Sequence, residues 1–173
     1  MRLTTFTDYS LRTLIYLALR PDRLATITDI AETYGISANH LMKVVQQLAQ
    51  GGDIVTLRGQ HGGLRLARPA REINIGAVVR RCEPDMTMAA CFIGPGQCAI
   101  QPACVLTGVL AEALGAFLAV LDRYSLADLV RERGRLGALL GMDMAEATLR
   151  RDPARLSPPP PAPHAAGNGR RPG

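Results

Sequence analysis

Gly35-Ile36-Ser37 separates two short amphipathic runs, and no other feature narrows so far the folds open to this chain. Upstream, Thr26 or Thr28 can cap a helix whose Ile27, Ile30, Ala31 and Tyr34 face inward. Downstream, Ser37 can cap a helix in which Leu41, Val44, Val45 and Leu48 form the apolar stripe. A glycine stop followed at once by a new cap is the turn of a helix-turn-helix. Ala38, Asn39, His40, Lys43 and Gln47 are left on the outer face of the second helix.

The flanks agree with this. After Gly51-Gly52, two strands at 54–58 and 64–68 enclose the turn Gly59-Gln60-His61-Gly62-Gly63, with Leu64 and Leu66 on one face and Arg65 on the other. A helix-turn-helix followed by a basic hairpin is a winged helix. A helix opening near Thr7 precedes it, with Tyr9, Leu11, Leu14, Ile15, Leu17 and Ala18 apolar and an end near Pro21. A short helix through Ile75, Val78 and Val79 follows, reaching Glu83-Pro84. From Cys104 a long helix carries Leu106, Leu110, Ala113, Phe117, Val120, Leu121 and Tyr124, a seam with steps of four and three close to a coiled-coil repeat. Such a seam on a projecting helix wants a partner, and a two-fold dimer supplies one.

The expected fold is mostly α: a winged helix-turn-helix DNA-binding domain with a two-stranded wing, plus a long C-terminal dimerisation helix. The expected division is a DNA-binding domain at 1–82, a cluster-binding loop at 83–104, the dimerisation helix and a helical segment at 105–149, and a disordered tail at 150–173. The tail holds Pro158 to Pro161, Arg170 and Arg171, a composition that builds no core.

The net charge of +5 is uneven. It is +3 over 1–70, −2 over 71–149 and +4 in the tail, so the total by itself says little. The informative part runs from Ile54 to Arg71, which has no acid but holds Arg58, His61, Arg65, Arg68 and Arg71. A focused basic patch of this kind meets phosphate. The reading helix begins at Ser37 and Ala38. There Asn39 can pair with adenine, Lys43 can reach guanine, and His40 can donate or accept. Arg58, His61 and Arg65 are the wing's candidates for phosphate or the minor groove.

Cys91, Cys98 and Cys104 stand in a C-x6-C-x5-C array whose loop holds Gly94, Pro95, Gly96 and Pro102. Three thiolates on one tight loop suit an iron–sulfur cluster, one ligand short of four. A cluster with an unusual fourth ligand is open to attack, which suits a sensor. Structural zinc sites use closer cysteine pairs, so the spacing favours a cluster over zinc or plain burial. Arg2, Asp8 and Arg12 interrupt any leader, and the apolar run from Leu14 to Leu19 is too short for a signal or a membrane span. A reducing cytoplasm and no membrane are therefore expected. Cys82, beside Val78 and Val79, reads as packing. A cysteine enzyme would need a base near the thiol, yet His40 and His61 lie on the DNA-facing elements and His164 in the tail; no enzyme is expected. The fourth ligand is open among Asp8, Cys82, the histidines and Thr107.

From Met1 to about Leu140 the chain resembles the NsrR type of nitric-oxide-sensitive repressors, within the winged-helix iron–sulfur regulators that include IscR. The resemblance rests on the stretches Met1 to Tyr9, Ser37 to Lys43, Arg58 to Leu66, Cys98 to Cys104 and Tyr124 to Val130. It implies a homodimer on a palindromic operator, repressing genes of nitric oxide defence until nitrosylation of the cluster releases the DNA. It also implies that Asp8, donated by the other subunit, completes the site. The cluster so implied is [4Fe–4S], with [2Fe–2S] as the alternative. IscR-like members carry a histidine three residues after the last cysteine; Thr107 stands there, against that subtype. Competing readings are a related regulator of iron or cluster status, and a cluster-free thiol-redox DNA binder.

Overall fold

Thr4 caps α1 (Thr5–Leu19), its hydroxyl accepting the Thr7 N–H at 3.2 Å. Its own N–H and Oγ1 donate to the Glu83 carboxylate at 2.6 and 3.1 Å, so the residue that ends α4 (Ile75–Cys82) is fastened to the start of α1. A computed structural model describes residues 2–59, 62–94, 96 and 98–142. α1 is the central helix and packs on α4, on α3 (Ala38–Gln50), on α6 (Leu126–Leu129) and on the wing. It buries Leu14, Tyr16, Leu17 and Leu19 together with the small polar residues Thr7, Ser10 and Thr13.

Thr26 opens α2 (Ile27–Tyr34) through a reciprocal capping box with Asp29. Gly35 closes it at φ 62°, the left-handed conformation that favours glycine. Ser37 then stands at the head of α3 (Ala38–Gln50). The expected hydroxyl cap does not form there; only the Ser37 carbonyl enters the helix, accepting the His40 and Leu41 N–H groups at 3.1 Å each. The side chain is exposed, so water can serve the first amides instead. Leu41, Val44, Val45 and Leu48 are buried, as the periodicity requires.

In the wing, β1 (Ile54–Leu57) and β2 (Gly63–Leu66) pair antiparallel, with Ile54 opposite Leu66 and Val55 opposite Arg65. The strands are shorter than expected, leaving Arg58 and Arg68 outside. A further pairing escapes the sequence: Ala25 exchanges backbone hydrogen bonds with Leu64 at 3.0 and 2.7 Å. At the base of the wing the buried Asp53 carboxylate binds Arg68 at 2.7 Å and also binds Arg81 of α4.

The chain continues through α5 (Leu106–Asp122), α6 (Leu126–Leu129) and α7 (Arg133–Leu139). α6 returns to the core, where Leu126 is fully buried and Ser125 bridges to Asn74. α5 packs on α4, and its C-terminal end is clasped there. The Arg80 guanidinium grips Asp122 through two 2.6 Å bonds, and Asn74 donates to the Asp122 carbonyl at 2.7 Å. Gly76 permits this approach, since a Cβ there would sit 2.0 Å from the Asp122 carboxylate.

No residue of α5 is buried. Among the seam residues, Leu106, Ala113, Val120 and Tyr124 are exposed and Leu110 and Phe117 half-buried, whereas Leu121 packs on the chain's own core. Val109, outside that seam, is 56% exposed. An apolar helix left this open requires another surface. No helix among the described residues is long and apolar enough to cross a membrane. The tail at 150–173 lies outside the described residues.

Candidate nucleic-acid interface and cysteine loop

Ser37, Ala38, Asn39, His40 and Lys43 are all exposed along the first turns of α3. Packing explains this: the stripe from Leu41 to Leu48 faces α1, so the intervening positions point outward. Arg58 lies just past β1, and Arg65 projects from β2 opposite Val55; both are exposed. His61 is outside the described residues.

Charge pairing separates these cations from several of the others. Arg68 and Arg81 bind Asp53, Arg80 binds Asp122, and Arg131 binds Asp128. Lys43, Arg58 and Arg65 have no ion pair among the described residues. A cation left unpaired on a surface is available to a polyanion.

Sequence reasoning missed two contacts that join this surface to α1. Tyr9 packs its ring against His40, with centroids 6.4 Å apart. Arg12 lies 5.8 Å from the ring centre of Tyr34, the last residue of α2. Tyr34 is half-buried, and desolvation pushes its hydroxyl up to about 12, with Arg12 opposing. A third miss is a cleft of about 640 Å³ beside the wing, where Arg131 and Arg133 join Arg65, Arg68 and Arg71. Residues so far apart in sequence give no local signal of meeting.

The four cysteines are free. Cys82, at the end of α4, is buried, and that burial pushes its thiol up, with the Ser10 side chain opposing. Cys91 and Cys104 are half-buried and Cys98 exposed. Cys91 lies in a 3₁₀ turn at Ala90–Phe92; Cys104 closes another at Gln101–Ala103, two residues before α5. No three His, Cys, Asp or Glu side chains among the described residues converge on a single metal ion.

Asp8 bonds to Arg12 of its own helix at 2.9 and 3.0 Å and is 45% exposed. Its cleft, shared with Arg2, Tyr9, Arg12, Tyr34 and Ile36, contains no cysteine.

Comparison with known proteins gives this surface its context. Residues 3–132 match the Rrf2 family, described as an iron-dependent transcriptional regulator. The HTH-type transcriptional regulator NsrR of Bacillus subtilis (strain 168) is 52% identical over 144 residues, spanning 82% of this chain and 99% of that protein. The oxidised form of CymR from Staphylococcus aureus superposes with a TM-score of 0.60 at 27% identity, over 75% of this chain and 95% of its own. IscR of T. potens shares the fold, with a TM-score of 0.62 at 24% identity over 76% of this chain and 88% of its own. The family model and the NsrR relative are named as transcriptional regulators rather than enzymes, and the helix-turn-helix, wing and cysteine loop fall within the matched span. The chain belongs to the Rrf2 family of transcriptional regulators, and within it to the NsrR type.

Proposed function

We propose that the chain is a repressor that clasps a palindromic operator as a homodimer and senses nitric oxide through an iron–sulfur cluster on Cys91, Cys98 and Cys104. The donor chemistry fits such a group: these three thiols are free and reach solvent, while Cys82 is walled off. Cys91, Cys98 and Cys104 would hold the group, which carries more than one iron and so would not require all three thiols to meet a single ion. Asp8 of the other subunit is the fourth ligand we favour, because among the described residues its part-exposed carboxylate is held by Arg12 alone. We favour [4Fe–4S] over [2Fe–2S]. When bound, the group would supply irons that react with nitric oxide.

The chain's own residues would do the rest. Asn39, His40 and Lys43, flanked by Ser37 and Ala38, would read bases in the major groove. Arg58, His61 and Arg65 would hold phosphate or the minor groove. The open apolar face of α5, with Leu106, Leu110, Ala113, Phe117, Val120 and Tyr124, would join two copies. A change of partner at Asp8 would be felt by Arg12 over Tyr34 and by Tyr9 against His40. Half-sites about 34 Å apart tolerate little change in the separation of the two α3 helices.

The observation that carries this reading is a loop of three free thiols ending at the head of a helix with no buried residue. Anaerobic purification with an iron and sulfide count, then nitric oxide titration on operator DNA, tests it. Brown protein that lets go of the operator when the gas is added is expected. A colourless protein, or a coloured Cys98→Ala variant that still responds, would sink it.

The description of the family as iron-dependent favours one second reading, a sensor of iron or cluster supply. Release by a chelator, with none by nitric oxide, would select it.

A further inference from the structure

Past Met86 and the half-buried Phe92, the loop before α5 has little apolar anchorage. Ile93, Ile100 and Val105 are 68%, 66% and 81% exposed, so burial does not set the spacing of its thiols. Polar contacts do, and they converge on Gln101. Its Nε2 donates to the carbonyls of Cys91 and Gly94, each at 3.2 Å, and its Oε1 accepts the Gly96 N–H at 2.9 Å. Its main-chain N–H donates to the Cys98 carbonyl at 3.1 Å, and its carbonyl accepts the Cys104 N–H at 3.3 Å. One residue thus touches the backbone of all three cysteines. Gly96 sits at φ 82°, a left-handed geometry that lets its N–H meet the amide.

We propose that Gln101 is the positioning residue of the cysteine loop, clipping the Cys91 arm to the Cys98–Cys104 arm so that three thiols are offered together to an iron–sulfur cluster. This deepens the reading above and rests on it. The chemistry selects an amide: two carbonyls need a donor and one N–H needs an acceptor, on a single planar group of this reach. Glutamate has the same length, but its carboxylate only accepts and would face two carbonyl oxygens. Alanine removes all three side-chain bonds.

The clip acts in two ways. It orders the arms before binding, which removes that entropy from the binding step. It also keeps a thiol that has let go within reach of its site, so recapture outruns release of the next.

The test uses the full chain and its Gln101→Ala and Gln101→Glu variants, reconstituted anaerobically with ferrous iron and sulfide. Bleaching after addition of a chelator is followed by absorption, and hydrogen exchange at the Gly96 amide is measured on the same chains without iron. Loss of three hydrogen bonds, taken at the low end of their worth, predicts bleaching about tenfold faster in Gln101→Ala, and Gln101→Glu, which keeps an acceptor for Gly96 but faces two carbonyls, should also bleach faster than wild type. Exchange at Gly96 should quicken in Gln101→Ala. A wild-type chain that loads iron and sulfide yet bleaches as fast as the variants would overturn the positioning role while leaving the cluster reading intact. Unchanged Gly96 exchange in Gln101→Ala would overturn the clip itself. A wild-type chain that never colours would overturn the cluster reading, and the positioning role with it.

Discussion

The ring of Tyr9 lies against that of His40, centroids 6.4 Å apart and planes inclined by 34°. One tilted aromatic pair therefore joins α1, a residue along from Asp8, to the exposed first turn of α3. Replacing Tyr9→Leu keeps apolar bulk and removes the ring. Aromatic pairs add about 0.5–1.5 kcal/mol beyond burial. The ratio of operator affinities between cluster-loaded and cluster-free protein should therefore shrink by roughly two- to tenfold. Anisotropy titrations of a labelled operator in both states measure it, and an unchanged ratio would mean that α1 does not inform α3 through this pair.

On the DNA face, two substitutions should fail differently. Arg65→Ala should weaken binding to every sequence and lower the salt slope by about one, as loss of a phosphate contact does. Asn39→Ala should leave non-specific binding intact and cost about 1–3 kcal/mol of discrimination at one base pair. Competition titrations at several salt concentrations separate the two. Equal losses on cognate and random DNA for Asn39→Ala would remove it from the reading helix.

Gly76→Ala should cost about 1–3 kcal/mol in urea unfolding, the range for overpacking. Its new Cβ would meet the Asp122 carboxylate head-on, so the Arg80 clasp must open. Adding Asp122→Ser to the same chain frees that space and should recover part of the loss. Additive losses in the double variant would place the damage elsewhere.

Acid should loosen the junction of α5 and α6. The Ser125 hydroxyl and N–H, with a smaller push from Arg131, hold the Asp128 carboxyl down at about 2. An aspartate in the unfolded chain titrates near ~3.9. A pKa lowered by folding contributes stability in full above the unfolded value and loses it as pH falls through the folded one. The contribution of Asp128 should thus be flat above about pH 5 and fade between about pH 4 and 2. A carboxyl carbon titration by nuclear magnetic resonance reads this directly, and a midpoint near the unfolded value would contradict it.

Much of the winged helix was legible because its signals are local. Thr26, Gly35 and the stripe from Leu41 to Leu48 each declare themselves within one or two helical turns. Ser37 shows the limit: its residue type predicts a hydroxyl cap, yet only its carbonyl enters the helix. The bridge from Ala25 to Leu64 and the clasp of Asp122 by Arg80 join elements about 40 residues apart, which no periodicity reports. Leu121 fits the seam by spacing but is claimed by the chain's own core. At the candidate site the cysteine spacing was plain, whereas Gln101 was hidden, since an amide that bonds to backbone leaves no pattern of residue types.

The clasp at the C-terminal end of α5 has a mechanical consequence. Arg80 and Asn74 pin Asp122, while the opposite end, at Val105, stands almost free in solvent. Seventeen helical residues separate the pin from the cysteine loop, a rod of roughly 25 Å. A pull applied at the loop would be carried along this rod to the Arg80–Asp122 clasp on the winged domain.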